Sequence, residues 1–246
     1  MTELRKDARV TELDYPVPAG SLKAYLATPT TDGPWPGVVV VQDALGLSDD
    51  IKHQADRLAA AGYLAFAPDL YSAGGRFCVL KTLAASRSGK GRAYDDLDAA
   101  RRWLVDRDDC TGKVGIIGFC MGGGFAVLCA PRYDFAASAV NYGEVPKDAR
   151  ERLRGACPIV GSYGKRDKTL RGRPERLERA LTELGIPHDI KEYDDAGHSF
   201  MNKLAVGPLK PALHVTGFDY VEGASEDAWR RIIAFFEEHV RARGPA

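Results

Sequence analysis

Residues 113–127 read Lys113-Val114-Gly115-Ile116-Ile117-Gly118-Phe119-Cys120-Met121-Gly122-Gly123-Gly124-Phe125-Ala126-Val127. A short apolar run is followed by a glycine-flanked corner and then by small and apolar residues, which is typical of a strand, a tight turn and a buried helix. The corner, 118–122, has the spacing of a nucleophile elbow with cysteine in place of the more usual serine. Such a turn strains its central residue and crowds the positions two before and two after, so glycine is favoured at both. We therefore expect the Cys120 sulfur to project at the start of a helix, where backbone N–H groups favour a thiolate and an oxyanion.

Two other interpretations of this stretch are a structural cysteine and a loop that binds a dinucleotide or a phosphate. Free cysteine is among the most buried residue types, so Cys120 is also compatible with a structural cysteine beside a glycine-rich turn. A dinucleotide or phosphate loop fits less well, because residues 118–120 break G-x-G-x-x-G at its second glycine and the sequence contains no G-x-x-x-x-G-K-[ST]. The local pattern leaves the choice between a reactive and a structural cysteine open.

The composition limits the classes of partner. The 246 residues suit a single domain spanning 1–246, and 34 basic residues balance 34 acidic ones. Nothing therefore favours nucleic acid or an anionic membrane as a partner, and we expect a small-molecule substrate and a monomer or small homo-oligomer. The polar start and the lack of an apolar run of membrane-spanning length predict no membrane partner and a cytoplasmic location.

The cysteine and histidine patterns argue against metals and disulfides. The five cysteines are an odd number without a C-x-x-C pair, so we predict reduced thiols rather than a disulfide framework or a zinc knuckle. No H-E-x-x-H occurs, and the histidines do not pair with cysteines at zinc spacing. We expect neither a metal nor an organic cofactor.

Strand and helix patterns alternate along the chain. Strands are predicted in 37–42, 63–67, 114–118, 135–141, 157–163 and 188–193, with an antiparallel hairpin in 10–28 and helices in 50–62, 93–107, 122–130, 174–184 and 225–240. This alternation predicts an α/β fold with a mostly parallel, doubly wound sheet and helices on both faces. Residues 70–91 contain four glycines and no clear period, so we predict a loop or lid over the site.

A thiol nucleophile needs a base, and the base needs an orienting carboxylate. In hydrolases built around such an elbow, the order along the chain is nucleophile, acid, histidine. Asp167 follows the predicted strand 157–163, and His198 follows the predicted last strand, so they are the candidate acid and base. Taken singly, each is also compatible with an ordinary loop residue. Asp194 and Asp195 are alternative acids, but they lie very close to His198 along the chain.

The other histidines are less suitable bases. His53 and His239 fall within predicted helices, His188 lies at a strand start, and His214 lies in the late loop. None follows the end of a predicted central strand, which is where catalytic loops of such folds lie.

Six motifs together resemble one family. They are Val41-Gln42-Asp43-Ala44-Leu45-Gly46, Pro68-Asp69-Leu70-Tyr71, Gly118-Phe119-Cys120-Met121-Gly122-Gly123, Asn141-Tyr142-Gly143, Gly164-Lys165-Arg166-Asp167 and Ala196-Gly197-His198-Ser199-Phe200. In this order they resemble the dienelactone hydrolase (carboxymethylenebutenolidase) family, which has the α/β-hydrolase fold. The resemblance extends from about residue 19 to the last helix, and the cysteine elbow is its most specific part.

The resemblance implies a role for each residue of the site. Cys120 is expected to be the nucleophile, His198 the general base and acid, and Asp167 its orienting partner. The oxyanion hole is expected to be the backbone N–H groups of Met121 and Ala44. The family also has a glutamate, just before the second oxyanion donor, that interacts with the resting thiol. This sequence has Asp43 at that position, which is one methylene shorter.

The expected substrate pocket departs from the family. Family members bind the substrate carboxylate with two arginines, one of them four residues after the catalytic histidine, where this sequence has Asn202. The other belongs to the segment 74–92, where Arg76, Arg87 and Arg92 are the candidates. The pocket is expected to include Asp43, Tyr142, Phe200 and Asn202, and the apolar residues Phe77, Leu80, Leu204 and Phe218 are further candidates. Each apolar residue, Phe200 included, is about equally compatible with ordinary packing of a loop against the core.

The sequence therefore predicts a cysteine-dependent hydrolase of small esters or lactones that acts through an acyl-enzyme. One alternative is a hydrolase of a different small ester or a thioester. Another is a catalytically inactive α/β-hydrolase-fold binding protein in which Cys120 is merely buried, because a fold by itself does not imply a function. The reactivity of the Cys120 thiol distinguishes the enzymes from the binding protein.

Overall fold

Eight strands form one mixed β-sheet in the computed structural model, which describes residues 8–72, 74, 78–203 and 218–241. The strands are β1 (Ala8–Val17), β2 (Gly20–Pro29), β3 (Trp35–Val41), β4 (Leu64–Pro68), β5 (Cys110–Phe119), β6 (Ser138–Asn141), β7 (Ile159–Gly164) and β8 (His188–Tyr193). Their order across the sheet is β1-β2-β4-β3-β5-β6-β7-β8. The β1–β2 and β2–β4 pairs are antiparallel, and all other neighbours are parallel. The predicted mostly parallel, doubly wound sheet is confirmed.

Helices cover both faces of this sheet. They are α1 (Asp49–Ala60), α2 (Cys78–Ser88), α3 (Arg92–Val105), α4 (Met121–Cys129), α5 (Ala149–Arg152), α6 (Arg173–Leu184) and α7 (Glu222–Phe236), which continues as a π-helical turn over Glu237–Arg241. Every residue of β3 is buried, as its run of valines predicts for a strand covered on both sides. Helices α1 and α7 meet, since Arg57 pairs with Glu226, and α3 meets α4, where the Tyr94 and Phe125 rings pack. Among the described helices, none has both the length and the apolar composition of a transmembrane span.

The predicted loop over residues 70–91 is partly wrong, because α2 lies within it. Its buried side chains are Thr82, Ala85 and Ser86, which are small and partly polar, so the helix has no clear hydrophobic period. The hydroxyl of Tyr94 donates to Ala85 O at 3.1 Å and ties this helix to α3. The other predicted strands and helices are confirmed, with ends that differ by a few residues, and α5 forms one short turn within the charged segment near 146–154.

The topology brings the candidate site together. Strands β3, β5, β6, β7 and β8 run parallel, so their carboxyl ends lie at one edge of the sheet. The loops that leave this edge carry Asp43, Cys120, Tyr142, Asp167 and His198. Ligand sites of open α/β sheets form at this edge.

Candidate active site

The turn between β5 and α4 has the geometry of a nucleophile elbow. Cys120 has φ 54° and ψ −111°, a conformation that is strained for a non-glycine residue. A Cβ on Gly118 would lie 1.9 Å from Gly122 O, and a Cβ on Gly122 would lie 2.3 Å from Val41 O. Neither position can therefore accommodate a side chain, as the sequence predicts.

The structure brings Cys120, His198 and Asp167 into one hydrogen-bonded chain. His198 Nε2 lies 3.0 Å from Cys120 Sγ, and His198 Nδ1 lies 2.5 Å from Asp167 Oδ2. The alternative acid Asp194 instead pairs with Lys165 at 2.6 Å. His198 and Asp167 are buried, whereas Cys120 is partly exposed. This arrangement suits transfer of a proton between the thiol and the imidazole.

Asp167 is held as a carboxylate by several donors. Its Oδ1 accepts hydrogen bonds from Thr169 N at 2.9 Å and from Thr169 Oγ1 at 2.6 Å. Burial acts to raise the pKa of Asp167, but the hydrogen bonds from His198 and Thr169 outweigh it and hold that pKa below its ordinary value. An ionised carboxylate only accepts hydrogen bonds, so His198 Nδ1 is the donor in their contact.

The imidazole of His198 has a strongly perturbed pKa. Burial acts to lower it, but the hydrogen bonds with Asp167 and Cys120 outweigh that effect and raise the pKa to about 9. The protonated imidazole is therefore favoured at neutral pH. The Nε2 atom of this ring lies 3.0 Å from the Cys120 sulfur, within reach for proton transfer.

The other described cysteines differ from Cys120. Cys129 is fully buried in α4, and burial raises its pKa far above the ordinary value. Burial also raises the pKa of Cys110, and that of Cys157 to about 12. The properties of a structural cysteine thus fit Cys129 better than Cys120, which is the one cysteine with a hydrogen bond to a histidine ring nitrogen within the described part of the chain. Among the described residues, no group of histidine, cysteine, aspartate and glutamate side chains could hold a metal ion.

The two backbone N–H groups predicted to form an oxyanion hole belong to Met121 and Ala44, which follow the carboxyl ends of the neighbouring strands β5 and β3. Met121 begins α4, and the first N–H groups of a helix have no intrahelical acceptor. Ala44 lies in a turn directly after β3, which is closed by a 3.3 Å bond from Gly46 N to Asp43 O. The hydroxyl of Tyr71 donates to Ala44 O at 3.3 Å and fixes this turn.

Asp43 is buried but engages its own turn. Its Oδ1 accepts a 2.7 Å hydrogen bond from Leu45 N, and among the described residues no hydrogen bond joins it to Cys120. Burial raises the pKa of Asp43 to about 6, although the Leu45 N–H opposes the shift. The glutamate-like contact with the resting thiol that the family resemblance implies is absent from this part of the structure.

A cavity of about 290 Å³ opens onto Cys120 and His198. Its lining residues are Leu83, Ser86, Arg87, Cys120, Met121, Gly124, Tyr142, Glu144, Thr169, Leu170, His198 and Phe218. Arg87, which extends from α2, is a cation in this lining for which no ion pair is found among the described residues. Glu144 is neutralised by Arg173, whose Nε lies 2.8 Å from Glu144 Oε1. The wall is otherwise mostly apolar.

The expected pocket residues lie at different depths. Tyr142 lines the cavity, and Phe218 packs its ring 4.9 Å from that of His198. Phe200 is fully buried behind Tyr142, with a ring separation of 5.5 Å. Asn202 is 1% exposed and hydrogen-bonds to Tyr142 and Asp50, so it does not face the cavity as a substrate ligand would.

The remaining residues proposed for the pocket either do not line this cavity or lie outside the described residues. Leu80 is 64% exposed on α2, and Arg92 pairs with Asp96 rather than facing the cavity of Cys120. Arg76, Phe77, Leu204 and His214 lie outside the described residues.

Several side chains of the site were not foreseen from the sequence. Thr169 follows Asp167 by two residues, and this spacing is typical of a turn in which an aspartate accepts from the backbone, so a local signal was available. Tyr71 and Asp50 join the site through contacts between residues far apart in the chain. No local pattern predicts such contacts.

Comparison with known proteins places this chain among ester and lactone hydrolases. Residues 22–240 match the model of a family described as the dienelactone hydrolase family. A protein of Escherichia coli strain K12, provisionally named a carboxymethylenebutenolidase, is 30% identical over 244 residues, covering 91% of this chain and 85% of that relative. The carboxymethylenebutenolidase of Rhodococcus opacus is 27% identical, covering 88% and 86%. A crystal structure from Klebsiella pneumoniae, provisionally named a dienelactone hydrolase, is 26% identical, with a TM-score of 0.78 over 94% of this chain and 99% of that one.

Proposed function

The chain belongs to the dienelactone hydrolase family of ester and lactone hydrolases, and we propose that it acts through a covalent acyl-enzyme on Cys120. The observation that carries the proposal is the continuous hydrogen-bonded chain from Cys120 Sγ through His198 to Asp167, of which Cys120 and His198 line the cavity. The α/β-hydrolase fold supports it by presenting these residues on loops from one edge of the sheet.

In the first half-reaction, the Cys120 sulfur attacks the carbonyl carbon and forms a C–S bond. The negative charge that develops on the carbonyl oxygen is stabilised by the N–H groups of Met121 and Ala44. When the carbonyl re-forms, the C–O bond of the ester or lactone breaks, and the leaving oxygen takes a proton from His198 Nε2. A pKa of about 9 keeps that proton available at neutral pH.

In the second half-reaction, water hydrolyses the thioester. His198, now neutral, accepts a proton from the water as its oxygen attacks the acyl carbon. The C–S bond then breaks, the thiolate re-forms beside the imidazolium, and the carboxylic acid leaves. Asp167 holds His198 in the tautomer that exposes Nε2 and stabilises the imidazolium in both steps.

The cavity limits the substrate to a small molecule. Its volume of about 290 Å³ is at the lower end of the range for ligand pockets. Its apolar wall suits a mostly apolar acyl group, and Arg87 suits a substrate that carries one carboxylate. Because Asn202 is occupied elsewhere, we propose that one arginine, rather than the family's pair, recognises this carboxylate.

The proposal is tested by stopped-flow assays of the wild type and Cys120→Ala with p-nitrophenyl acetate and with cis-dienelactone. A Cys120-dependent burst supports the acyl-enzyme, and rapid turnover of dienelactone supports the family substrate. A burst without dienelactone turnover indicates a cysteine hydrolase of another small ester or a thioester. The absence of both burst and turnover contradicts the proposal and favours a ligand-binding protein.

The role of Arg87 is tested separately by Arg87→Gln. We expect KM to rise about tenfold for an ester that carries a carboxylate, because a charge-assisted contact is lost. KM for uncharged p-nitrophenyl acetate should stay within about twofold, since that substrate makes no such contact. Equal effects on both substrates would contradict the assignment.

A further inference from the structure

A buried hydrogen-bond chain connects the wall of the cavity to the start of α1. We infer that Asp50 and Asn202 are positioning residues, which act through Tyr142 to hold the loop that carries His198. This inference rests on the proposed function, because it concerns the geometry of the proposed general base. Family members have a substrate-binding arginine at the position of Asn202, and the role inferred here for Asn202 is a different one.

The chain contains three side chains from distant parts of the sequence. The hydroxyl of Tyr142 donates to Asn202 Oδ1, and Asn202 Nδ2 donates to Asp50 Oδ2. Asp50 Oδ1 accepts a further bond from Lys203 N at 2.7 Å. Gln54 Nε2 lies 3.3 Å from Asp50 Oδ2 and donates to Met201 O at 3.1 Å. The loop 201–203 is thus attached to α1 at several points.

The direction of each bond is fixed by the chemistry of its ends. An ionised aspartate only accepts hydrogen bonds, so the NH₂ group of Asn202 must face Asp50 and its carbonyl must face Tyr142. Asp50 lies in the first turn of α1, where the helix dipole stabilises a negative charge. The carboxylate is therefore an anchor that orients the amide, and the amide in turn orients the tyrosine hydroxyl.

The hydrogen bonds of Asn202 restrain two residues with strained backbone conformations close to the proposed catalytic histidine. Of the non-glycine residues that the structure describes, three have positive φ: Cys120 at 54°, Tyr142 at 40° and Ser199 at 60°. Ser199 directly follows His198, and its carbonyl accepts a 2.9 Å bond from Asn202 N. Such conformations persist only where surrounding contacts impose them. Asn202 supplies contacts to two of the three, through its backbone N–H and its side chain.

The position of the Tyr142 ring affects the His198 imidazole because the two rings are in contact. The Tyr142 ring lies edge-on to the His198 ring at 5.4 Å, and Phe200 supports it from behind. With its hydroxyl held by Asn202, Tyr142 presents its ring to the cavity and to His198. Loss of this restraint lets the ring and the turn after His198 move, which misaligns Nε2 relative to Cys120 Sγ. A small misplacement of this kind lowers kcat more than it changes KM.

The test uses a swap of the two side chains. Asn202→Asp places two carboxylates against each other, and we expect kcat for p-nitrophenyl acetate to fall about tenfold or more while KM stays within about twofold. Asp50→Asn combined with Asn202→Asp restores one donor facing one acceptor, so kcat should recover to within about threefold of the wild type. The control is Asp49→Asn, which removes an exposed carboxylate from the same helical turn and should leave kcat unchanged.

Each outcome is decisive when circular dichroism verifies that the variant is folded at the assay temperature. A swap that gives no recovery, or a loss confined to KM, overturns the inference. If Asn202→Asp does not fold, Tyr142→Phe removes only the hydroxyl, and an unchanged kcat then overturns the inference. A wild type without a Cys120-dependent burst refutes the proposed function itself, whereas a burst without rescue refutes only the positioning role.

Discussion

The loops after β7 and β3 each place a carboxylate within electrostatic range of His198, yet the two pKa values move in opposite directions. Asp167 and Asp43 are almost equally buried, at 6% and 5% exposure. Asp167 accepts bonds from the His198 ring, the Thr169 backbone and the Thr169 hydroxyl, and its pKa is lowered. Among the described residues, the carboxylate of Asp43 accepts one hydrogen bond, from Leu45 N, and its pKa rises to about 6. Burial acts to raise both pKa values, and only at Asp167 do the donors from His198 and Thr169 outweigh it.

The largest expected difference between the two loops is in catalysis. Asp167→Asn should lower kcat for p-nitrophenyl acetate by about 10³–10⁴-fold, because an amide no longer fixes the tautomer of His198. Asp43→Asn, the matched change in the other loop, should alter kcat by no more than about threefold, because its bond from Leu45 N can be kept by the amide oxygen. Steady-state kinetics of both variants checks this contrast, and losses of similar size would contradict it.

The second difference is in stability as a function of pH. Asp43 has a folded-state pKa of about 6, above its ordinary value of 3.8, so its contribution to stability is present below pH 3.8 and is lost as the pH rises through 6. At pH 7.5, Asp43→Asn should therefore be more stable than the wild type, by at most about 3 kcal/mol. Asp167 has a lowered pKa, so its contribution is present above 3.8 and is lost on acidification.

Urea unfolding between pH 3 and 7.5 tests these opposite slopes. The advantage of Asp43→Asn should shrink as the pH falls towards 4.5, whereas the deficit of Asp167→Asn should shrink only as the pH approaches 3.8 and below. Parallel pH dependences for the two variants would show that the two carboxylates are not in different charge states.

The smallest expected effect isolates a single donor. Thr169→Val removes the hydroxyl that bonds to Asp167 Oδ1 but keeps the backbone N–H, so kcat should fall about tenfold, the loss expected for one hydrogen bond to a charged group. The acid limb of the pH–rate profile should also move to higher pH, because the pKa of Asp167 rises when a donor is lost. Thr182→Val, whose hydroxyl bonds to Glu178 O in α6, serves as the control. An unchanged profile would show that the hydroxyl does not tune Asp167.

The predictable parts of the fold and site depend on short sequence motifs or on the order of elements along the chain. The elbow is specified within five residues, since Gly118 and Gly122 are the positions at which a Cβ would collide with backbone. The candidate acid and base follow from their places after successive strands, and the parallel sheet brings those strand ends together. Burial of the central strands followed from continuous β-branched runs.

The parts that were not predictable depend on contacts between distant residues or on weak periodicity. Asp50 and Asn202 meet across 152 positions, and nothing in either neighbourhood indicates the other. Helix α2 buries small side chains, so a search for apolar periodicity finds no helix there. Whether Asp43 reaches Cys120 depended on a local turn: the side chain bonds to Leu45 N, two residues on.

The most direct test of the central claim is to locate the acyl group. The wild type is mixed with p-nitrophenyl acetate, quenched with acid within the first turnover, digested and mapped by mass spectrometry, with Cys120→Ala treated in parallel. The account predicts acetylation of Cys120 in the wild type, with loss of both the adduct and the burst in the variant. An acetyl group on another residue, or a burst that persists in Cys120→Ala, would contradict it.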